Sequence, residues 1–167
     1  MIKLVRLDER MIHGQVAIKW SRHTGVDRII VANNDAAAND IVKKSLMMAA
    51  PPTCKTVITT MEKSLELLND PRAAGLKILL IVSSPEDLLT ILKGLNDVKG
   101  IPTINIGNYG RIAPKVNGET RKTYGANLYA YDSEVELFKE IMAFGVETVY
   151  QTTPENVPEP LNKVLGL

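Results

Sequence analysis

Short apolar runs alternate along the chain with segments of helical periodicity. Runs rich in Val, Ile and Leu predict β-strands, and residues 77–82 (KILLIV) are continuous enough for a strand buried on both faces. Strands are predicted at 2–7, 28–33, 55–59, 77–82, 102–107, 126–131 and 146–151. Helices are predicted at 14–24, 36–50, 61–69, 85–92 and 134–144, and a short helix is predicted in the proline-punctuated tail.

Two of the helix starts carry capping signals. Ser84 precedes Pro85, and Asp87 follows the serine by three residues, so an N-cap, a first-turn proline and a first-turn acid coincide. Ser133 and Glu136 have the spacing of a capping box, which predicts that the last long helix begins just after Ser133.

The regular alternation of strand and helix predicts the fold class. We expect an α/β protein with three α/β/α layers and a mostly parallel, doubly wound sheet of about six to seven strands. The last strands are the ones expected to depart from the parallel order. Residues 107–125 predict a long loop or a hairpin, and residues 1–167 are expected to form one domain.

Several apolar residues have predicted packing roles. Trp20 is expected to pack a helix against the sheet, and Cys54 is expected to be a small buried residue. The pair Met47-Met48 is expected in the core.

Composition and charge exclude several classes of protein. The chain has 167 residues, of which 45% are hydrophobic and 23% charged, as in globular domains. Its formal net charge of +1 does not favour nucleic-acid binding. No apolar run approaches the roughly 20 residues of a membrane span, and residues 1–10 lack the apolar core of a signal peptide. One cysteine excludes an internal disulfide, and the cytosol is the expected compartment.

The candidate chemistry follows the first predicted strand. Neither a dinucleotide-binding glycine motif nor a P-loop is present there or elsewhere, so nucleotide cofactors are not expected. His13 lies in the strand-to-helix loop, where free backbone N–H groups at a helix start bind anions. A neutral imidazole nitrogen is a competent nucleophile toward phosphorus, and Arg10 supplies positive charge nearby. Arg6 and Asp8 share one strand face, so Asp8 is placed to hold an arginine or to accept a proton from the imidazole.

Other interpretations of these residues stay open on chemistry alone. A lone loop histidine is more often a surface or packing residue than a functional one. His23, the second histidine, lies near a helix end, where a favourable interaction with the helix dipole explains it. Two histidines ten residues apart do not have the spacing of metal ligands, so no metal site is expected.

The whole segment from Arg6 to Val16 favours a functional role for His13. Its sequence, RLDERMIHGQV, resembles the signature loop of the enzyme IIB component of the sugar phosphotransferase system (PTS), mannose/fructose/sorbose family. That family's pattern is R-[IVL]-D-[DE]-R-[LMF]-I-H-G-Q-V, and it fits without a gap. The resemblance extends over nearly the whole chain through RIIVAN at 28–33, AAPP at 49–52, the start of the SPEDLL helix and INIGNYG at 104–110. One departure is Asn108-Tyr109-Gly110, where the family often has paired glycines.

The resemblance implies a phosphoryl relay. His13 would accept a phosphoryl group on Nδ1 from the phosphohistidine of a IIA component and pass it to a sugar that enters through membrane IIC and IID components. Arg10 matches the arginine that stabilises the phosphate, and Asp8 matches the acid that orders the loop. Gly14 and Gln15 match as backbone phosphate donors, with Arg6 counted among the phosphate-binding residues. No metal or organic cofactor is implied, and the chain would be a free-standing IIB component that reaches the membrane only through its partners.

Two alternatives of different classes accompany this interpretation. One is a non-catalytic regulatory module that binds an anion or a sugar phosphate in the same pocket. The other is an enzyme that uses His13 as a general acid or base, for which Asp8 and Glu9 are the nearest titratable partners. The sequence specifies neither the sugar nor a self-association interface. The basic residues of 107–125 are candidates for a partner contact or for a solvated loop: Arg111, Lys115, Arg121 and Lys122.

Overall fold

The chain forms nine strands and seven α-helices within the part that the structure covers. The structure is a computed structural model, and it describes residues 1–111 and 118–167. The strands are β1 (Ile2–Leu7), β2 (Arg28–Ala32), β3 (Lys55–Thr59), β4 (Ile78–Val82), β5 (Ile104–Ile106), β6 (Lys122–Gly125), β7 (Leu128–Ala130), β8 (Thr148–Tyr150) and β9 (Glu159–Pro160). The helices are α1 (Val16–Thr24), α2 (Asn34–Ala38), α3 (Asp40–Ala49), α4 (Met61–Asn69), α5 (Pro85–Gly94), α6 (Asp132–Met142) and α7 (Leu161–Val164). A 3-10 helix covers Pro71–Gly75.

A seven-stranded sheet organises the described residues. Its order is β3-β2-β4-β1-β5-β8-β9, and all neighbours are parallel except the last pair, in which β9 runs antiparallel to β8. The predicted fold class is therefore confirmed. The predicted strand at 146–151 pairs parallel to β5 as β8, and the departure from parallel order in this sheet comes from β9, which was not predicted. Strand β1 is central, with β4 on one side and β5 on the other.

Two apolar clusters fill the space above and below the sheet. On one face, α1, α2 and α3 cover side chains that include Leu4, Ile29 and Ile81. On the other face, α4, α5 and α6 cover side chains that include Val5, Leu7 and Leu80. Because successive side chains of a strand point to opposite faces, β1 contributes to both clusters and places Arg6 on the same face as Leu4.

Helix α5 begins as its capping signal predicts. The Ser84 hydroxyl accepts a hydrogen bond from the Asp87 N–H at 3.1 Å, and Pro85 occupies the first turn. The predicted start of α6 is wrong: the helix begins at Asp132, and the Glu134 carboxylate accepts from the Tyr131 N–H at 2.8 Å. Glu134 is buried and also forms an ion pair with Arg121. The helix is therefore capped by Glu134 and not by the predicted pair Ser133 and Glu136.

The helix predicted at 36–50 is two helices that meet at Asn39. This residue has extended backbone angles, and its side-chain oxygen accepts from the N–H groups of Ile41 and Val42, which caps α3. The predicted core position of Met47 and Met48 is also wrong, because their side chains are 43% and 87% exposed. Helix α3 buries one stripe that contains Leu46, and the two methionines lie off that stripe.

The 107–125 segment ends in a hairpin rather than a plain loop. Strand β6 pairs antiparallel with β7 in a separate two-stranded sheet. Arg121 lies just before β6 and contacts the rings of Tyr109 and Tyr131, with its guanidinium carbon 5.0 and 4.6 Å from the ring centroids. Lys115, another of the basic residues singled out in this segment, lies outside the described residues.

Trp20 and Cys54 are buried as predicted. Trp20 belongs to the cluster beneath α1 and contacts the sheet face that carries Arg6. The Cys54 thiol lies in the same cluster.

Candidate active site

The candidate site forms where the carboxyl ends of β1, β5 and β8 meet. In the parallel register Leu7 pairs with Ile106, and Ile106 pairs with Tyr150. The chain leaves β1 toward β2 on one side and leaves β5 toward β8 on the other, which makes this a topological switch point. Residues that immediately follow these three strands therefore share one crevice.

Asp8 is the centre of this crevice. Its side chain is fully buried, and Oδ2 accepts hydrogen bonds from Arg6 Nη2 at 2.7 Å, His13 Nε2 at 2.9 Å and Asn108 Nδ2 at 2.9 Å. Oδ1 accepts from the Arg10 backbone N–H at 3.0 Å. The two predicted partners on the β1 face, Arg6 and Asp8, thus form a buried ion pair.

Arg6 lies beneath Asp8, out of contact with solvent. Only 2% of its side chain is exposed, and the guanidinium donates to the carbonyl oxygens of Gln151 and Thr152 and to the side chain of Asn105. It also lies over Trp20, 5.3 Å from the ring centroid. Its Nη1 and Nη2 groups therefore donate to groups inside the protein.

Gly107 makes room for this guanidinium. A Cβ atom at position 107 would overlap the Arg6 side chain, so a glycine is required directly after β5. The Gly107 N–H donates to the Leu7 carbonyl at 2.8 Å and continues the pairing of β5 with β1 past the end of the strand.

The charge state of Asp8 follows from its partners. Burial by itself would raise the pKa of Asp8, but the hydrogen bond from His13, the Arg6 charge and the hydrogen bond from Asn108 outweigh burial and hold the pKa below its usual value. Asp8 is therefore an ionised carboxylate at neutral pH, with oxygens that accept hydrogen bonds and donate none.

The Asp8 carboxylate determines the tautomer of His13. Because Oδ2 accepts only, His13 Nε2 carries the proton in the hydrogen bond between them. In the neutral ring Nδ1 then holds a lone pair, and Nδ1 makes no hydrogen bond to any residue within 1–111 or 118–167. The side chain is 11% exposed, so most of it is buried and a small part is accessible to solvent.

The backbone of the loop turns sharply on both sides of His13. Met11 has a φ of 59° and Gly14 a φ of 47°, so two of the loop residues lie in the left-handed region. The N–H groups of Gly14 and Gln15 donate to no acceptor within the described part of the chain, and α1 begins directly after Gln15. Free donors and a helix start therefore lie beside His13.

Arg10 is exposed on the same loop. Its backbone is tied to Asp8, whereas its guanidinium makes no ion pair or hydrogen bond to any described residue. The structure thus brings Arg6 and His13 into contact with Asp8 and places the N–H groups of Gly14 and Gln15 next to His13. Within the described part of the chain, the exposed Arg10 guanidinium has no partner.

Sequence reasoning missed the residues that reach the site from β5 and β8. Asn105 is fully buried, and its amide bridges Arg6 and the Gln151 carbonyl. Asn108 donates to Asp8, and the Glu9 carboxylate accepts from the N–H groups of Gly110 and Arg111 at 2.9 and 3.3 Å. The available signal was a polar residue inside or just after an apolar strand, as in INIGN at 104–108.

The remaining candidates lie elsewhere. His23 is exposed near the end of α1, with its ring edge-on to Trp20 at 5.8 Å between centroids. No group of three or more His, Cys, Asp or Glu side chains with the arrangement of a metal site occurs within 1–111 and 118–167. No helix in those ranges has the length and apolar character needed to cross a bilayer.

Comparison with known proteins places this geometry in a family. The family model for the PTS system sorbose subfamily IIB component matches residues 2–167. The chain is 31% identical over 167 residues to the "Probable phosphotransferase enzyme IIB component" of Streptococcus pyogenes serotype M6, and the match covers 99% of this chain and 100% of that protein. It is 33% identical over 148 residues to the "PTS system mannose-specific EIIAB component" of Escherichia coli K12, which covers 88% of this chain and 43% of that protein. The crystal structure of the IIBSor domain of the sorbose permease from Klebsiella pneumoniae superimposes with a TM-score of 0.87 at 25% identity, covering 99% of this chain and 96% of that one.

Proposed function

Because the chain belongs to the sorbose subfamily of PTS IIB components, a family of phosphotransferases that act in sugar uptake, we propose that His13 is the residue that carries the phosphoryl group. The observation that supports this assignment is the hydrogen bond from His13 Nε2 to Asp8. It orients the ring, keeps the proton on Nε2 and leaves the Nδ1 lone pair free to attack phosphorus.

The first step loads His13. The donor is the phosphohistidine of a IIA component, and the His13 Nδ1 lone pair forms a new N–P bond while the donor's N–P bond breaks. The electron pair of the broken bond returns to the donor imidazole, and no water is consumed. Nε2 keeps its proton throughout, and Asp8 stabilises the positive charge that the ring gains when Nδ1 is phosphorylated.

The second step unloads His13 to a sugar bound by the membrane IIC and IID components. A sugar hydroxyl oxygen attacks phosphorus, the hydroxyl proton is released, and the N–P bond returns its electron pair to Nδ1. This reaction defines a protein-Nπ-phosphohistidine–sugar phosphotransferase. Its setting is the cytoplasm, at the cytoplasmic face of the membrane partners, and residues 1–167 act as a single IIB domain.

Charge compensation comes from groups at the rim of the crevice. The phosphoryl oxygens accept hydrogen bonds from the N–H groups of Gly14 and Gln15 and from the Arg10 guanidinium, none of which has a hydrogen-bond acceptor among residues 1–111 and 118–167. Both transfers depend on alignment and on these charges, so the site needs neither a metal nor an organic cofactor.

Arg6 acts on the phosphate only indirectly. Its Nη1 and Nη2 groups donate to Asp8, Asn105 and the carbonyls that follow β8, and the side chain is 2% exposed, so these donors are occupied inside the protein. We assign it the role of fixing Asp8, which in turn fixes His13.

Intact-mass spectrometry tests the assignment. The protein is incubated with phosphoenolpyruvate, enzyme I, the general phosphocarrier protein and a mannose-family IIA domain. The wild type should gain one phosphate that is lost in acid and retained in base, as N–P bonds are. His13→Ala should gain none, while His23→Ala, which removes the other histidine, should behave as the wild type.

The same experiment separates the alternatives. A phosphate that still attaches to His13→Ala would show that His13 is not the acceptor. No phosphate on the wild type, with several IIA domains proven active on their own partners, would favour a module that only binds anions.

A further inference from the structure

Asn108 donates the third hydrogen bond to the oxygen that holds His13. Its Nδ2 lies 2.9 Å from Asp8 Oδ2, the same distance at which His13 Nε2 approaches that oxygen. Arg6 Nη2 completes the set at 2.7 Å. Three donors share the lone-pair density of this one carboxylate oxygen. Each hydrogen bond therefore weakens the other two hydrogen bonds to the same oxygen.

The backbone around Asn108 is held on several sides. Its carbonyl accepts from the Glu9 N–H at 2.8 Å. The next residue, Tyr109, exchanges backbone hydrogen bonds with the 127–129 segment, and its buried hydroxyl donates to Glu134 at 2.7 Å. Backbone hydrogen bonds therefore hold the loop that carries Asn108, and they position its side-chain amide against Asp8. A residue that positions a functional site needs such support.

We propose that Asn108 is a positioning residue that weakens the hold of Asp8 on the His13 ring and so sets the pH range over which His13 accepts phosphate. The proposal rests on the proposed function of His13. Asn108 acts through Asp8 and does not need to touch the phosphoryl group.

The charged groups around Asp8 and His13 determine how removal of the Asn108 amide changes the protonation of His13. Arg6 faces Asp8 from β1, and the Arg10 guanidinium lies exposed on the loop. The Glu9 carboxylate is turned away to the N–H groups of Gly110 and Arg111. Removal of the Asn108 amide leaves more negative charge density on Asp8 Oδ2, which favours the doubly protonated, cationic His13 ring.

A doubly protonated ring has no lone pair with which to attack phosphorus. Without the Asn108 amide, the acidic limb of the pH–rate profile for phosphate acceptance should therefore move to higher pH. The effect of the substitution should therefore be largest on the acidic side of the profile and should decrease toward alkaline pH.

The test uses two substitutions that remove the amide and differ in volume. Asn108→Ala shortens the side chain, and Asn108→Leu keeps about the same bulk. Asn127→Ala is the matched control, because Asn127 lies in the adjoining turn and its side chain makes no hydrogen bond to any described residue. Single-turnover phosphate acceptance from a phosphorylated IIA domain is measured from pH 5 to 9.

We expect both Asn108 variants to shift the acidic midpoint upward by roughly half a pH unit, a fraction of the strength of one hydrogen bond to a charged group. Asn127→Ala should leave the midpoint in place. Loss of rate by one constant factor at every pH, or a shift that follows side-chain volume and differs between Ala and Leu, would overturn the proposal.

A second readout does not depend on phosphoryl transfer. The chain has two histidines, so the imidazole ¹⁵N signals of the unphosphorylated protein can be assigned with His23→Gln and followed across the same pH range. The pH at which the His13 ring gains its second proton should rise in both Asn108 variants. If it rises while the wild type takes no phosphate, the coupling through Asp8 holds and the proposed function fails. If the wild type takes phosphate and the ring titrates identically in every variant, the function holds and the role of Asn108 fails.

Discussion

Arg6 Nη2 and Asp8 Oδ2 lie 2.7 Å apart, in an ion pair of which the two side chains are 2% and 0% exposed. The two residues are two positions apart on β1 and its continuation, so the period of the strand places them on one face. Their burial makes the pair the support on which the orientation of His13 depends.

Removal of the Arg6 charge should be strongly destabilising. Arg6→Met keeps much of the volume but leaves the Asp8 carboxylate buried without its cation, at an expected cost of about 3–5 kcal/mol in the free energy of unfolding. Urea unfolding followed by circular dichroism measures this. Arg72→Met is the control, because Arg72 and Asp70 form an ion pair of 2.6 Å at the surface, and its loss should leave stability nearly unchanged. Equal losses in the two variants would contradict the structural role of Arg6.

The Asp8 carboxylate should make stability depend on pH at the acidic end. Because the pKa of Asp8 is lowered in the folded protein, its contribution is present above the unfolded value of about 4 and is lost as the pH falls through the lower folded value. The difference in unfolding free energy between the wild type and Asp8→Asn should be widest near neutral pH and should narrow below about pH 4. Denaturant unfolding at a series of pH values measures this gap, and a gap that stays constant down to pH 2 would be inconsistent with an ionised, paired Asp8. Asp132→Asn, at an exposed ion pair with Lys122, controls for general effects of acid.

Arg10 should matter for transfer and not for folding. Its guanidinium is exposed and makes no ion pair or hydrogen bond within the described ranges, so Arg10→Ala should change the unfolding free energy by no more than about 0.5 kcal/mol. Phosphate acceptance should slow about 10- to 100-fold, which is the effect of losing one hydrogen bond to a charged group. Single-turnover rates and thermal unfolding of the same samples measure both effects.

Two further variants serve as comparisons for Arg10→Ala. Arg10→Lys retains a charge and should recover part of the rate, whereas Arg22→Ala removes an exposed arginine from the last turn of α1 and should change neither quantity. A large loss of thermal stability with a normal transfer rate would make Arg10 a structural residue instead.

The sequence predicted the sheet and its helices because their causes are local. Continuous apolar runs are needed by strands that are buried on both faces, and residues 78–82 form such a strand, β4, in the interior of the sheet between β2 and β1. The cap formed by Ser84 was found for the same reason, since its partner Asp87 is three residues away. The period of β1 likewise predicted that Arg6 and Asp8 share a face.

Predictions failed where a distant residue outweighed the local signal. The capping-box spacing of Ser133 and Glu136 is genuine, but Glu134 is buried beside Arg121 and Tyr109 and caps α6 two residues earlier, at Tyr131. Met47 and Met48 have the apolar character of core residues, yet α3 packs through a stripe that contains Leu46, and the two methionines lie off that stripe.

By itself, the sequence determined the fold class and the loop that carries His13. Both depend on residues that are close together along the chain: the hydrophobic periodicity of strands and helices, and the run from Arg6 to Val16. Only the tertiary structure decided what surrounds that loop. Asn105, Asn108 and the carbonyls after β8 reach Arg6 and Asp8 because β1, β5 and β8 are adjacent in the sheet. No spacing rule along the chain encodes that order of strands. The residues that bind Asp8, which determines the tautomer of His13, can therefore be identified only once the pairing of the strands is known.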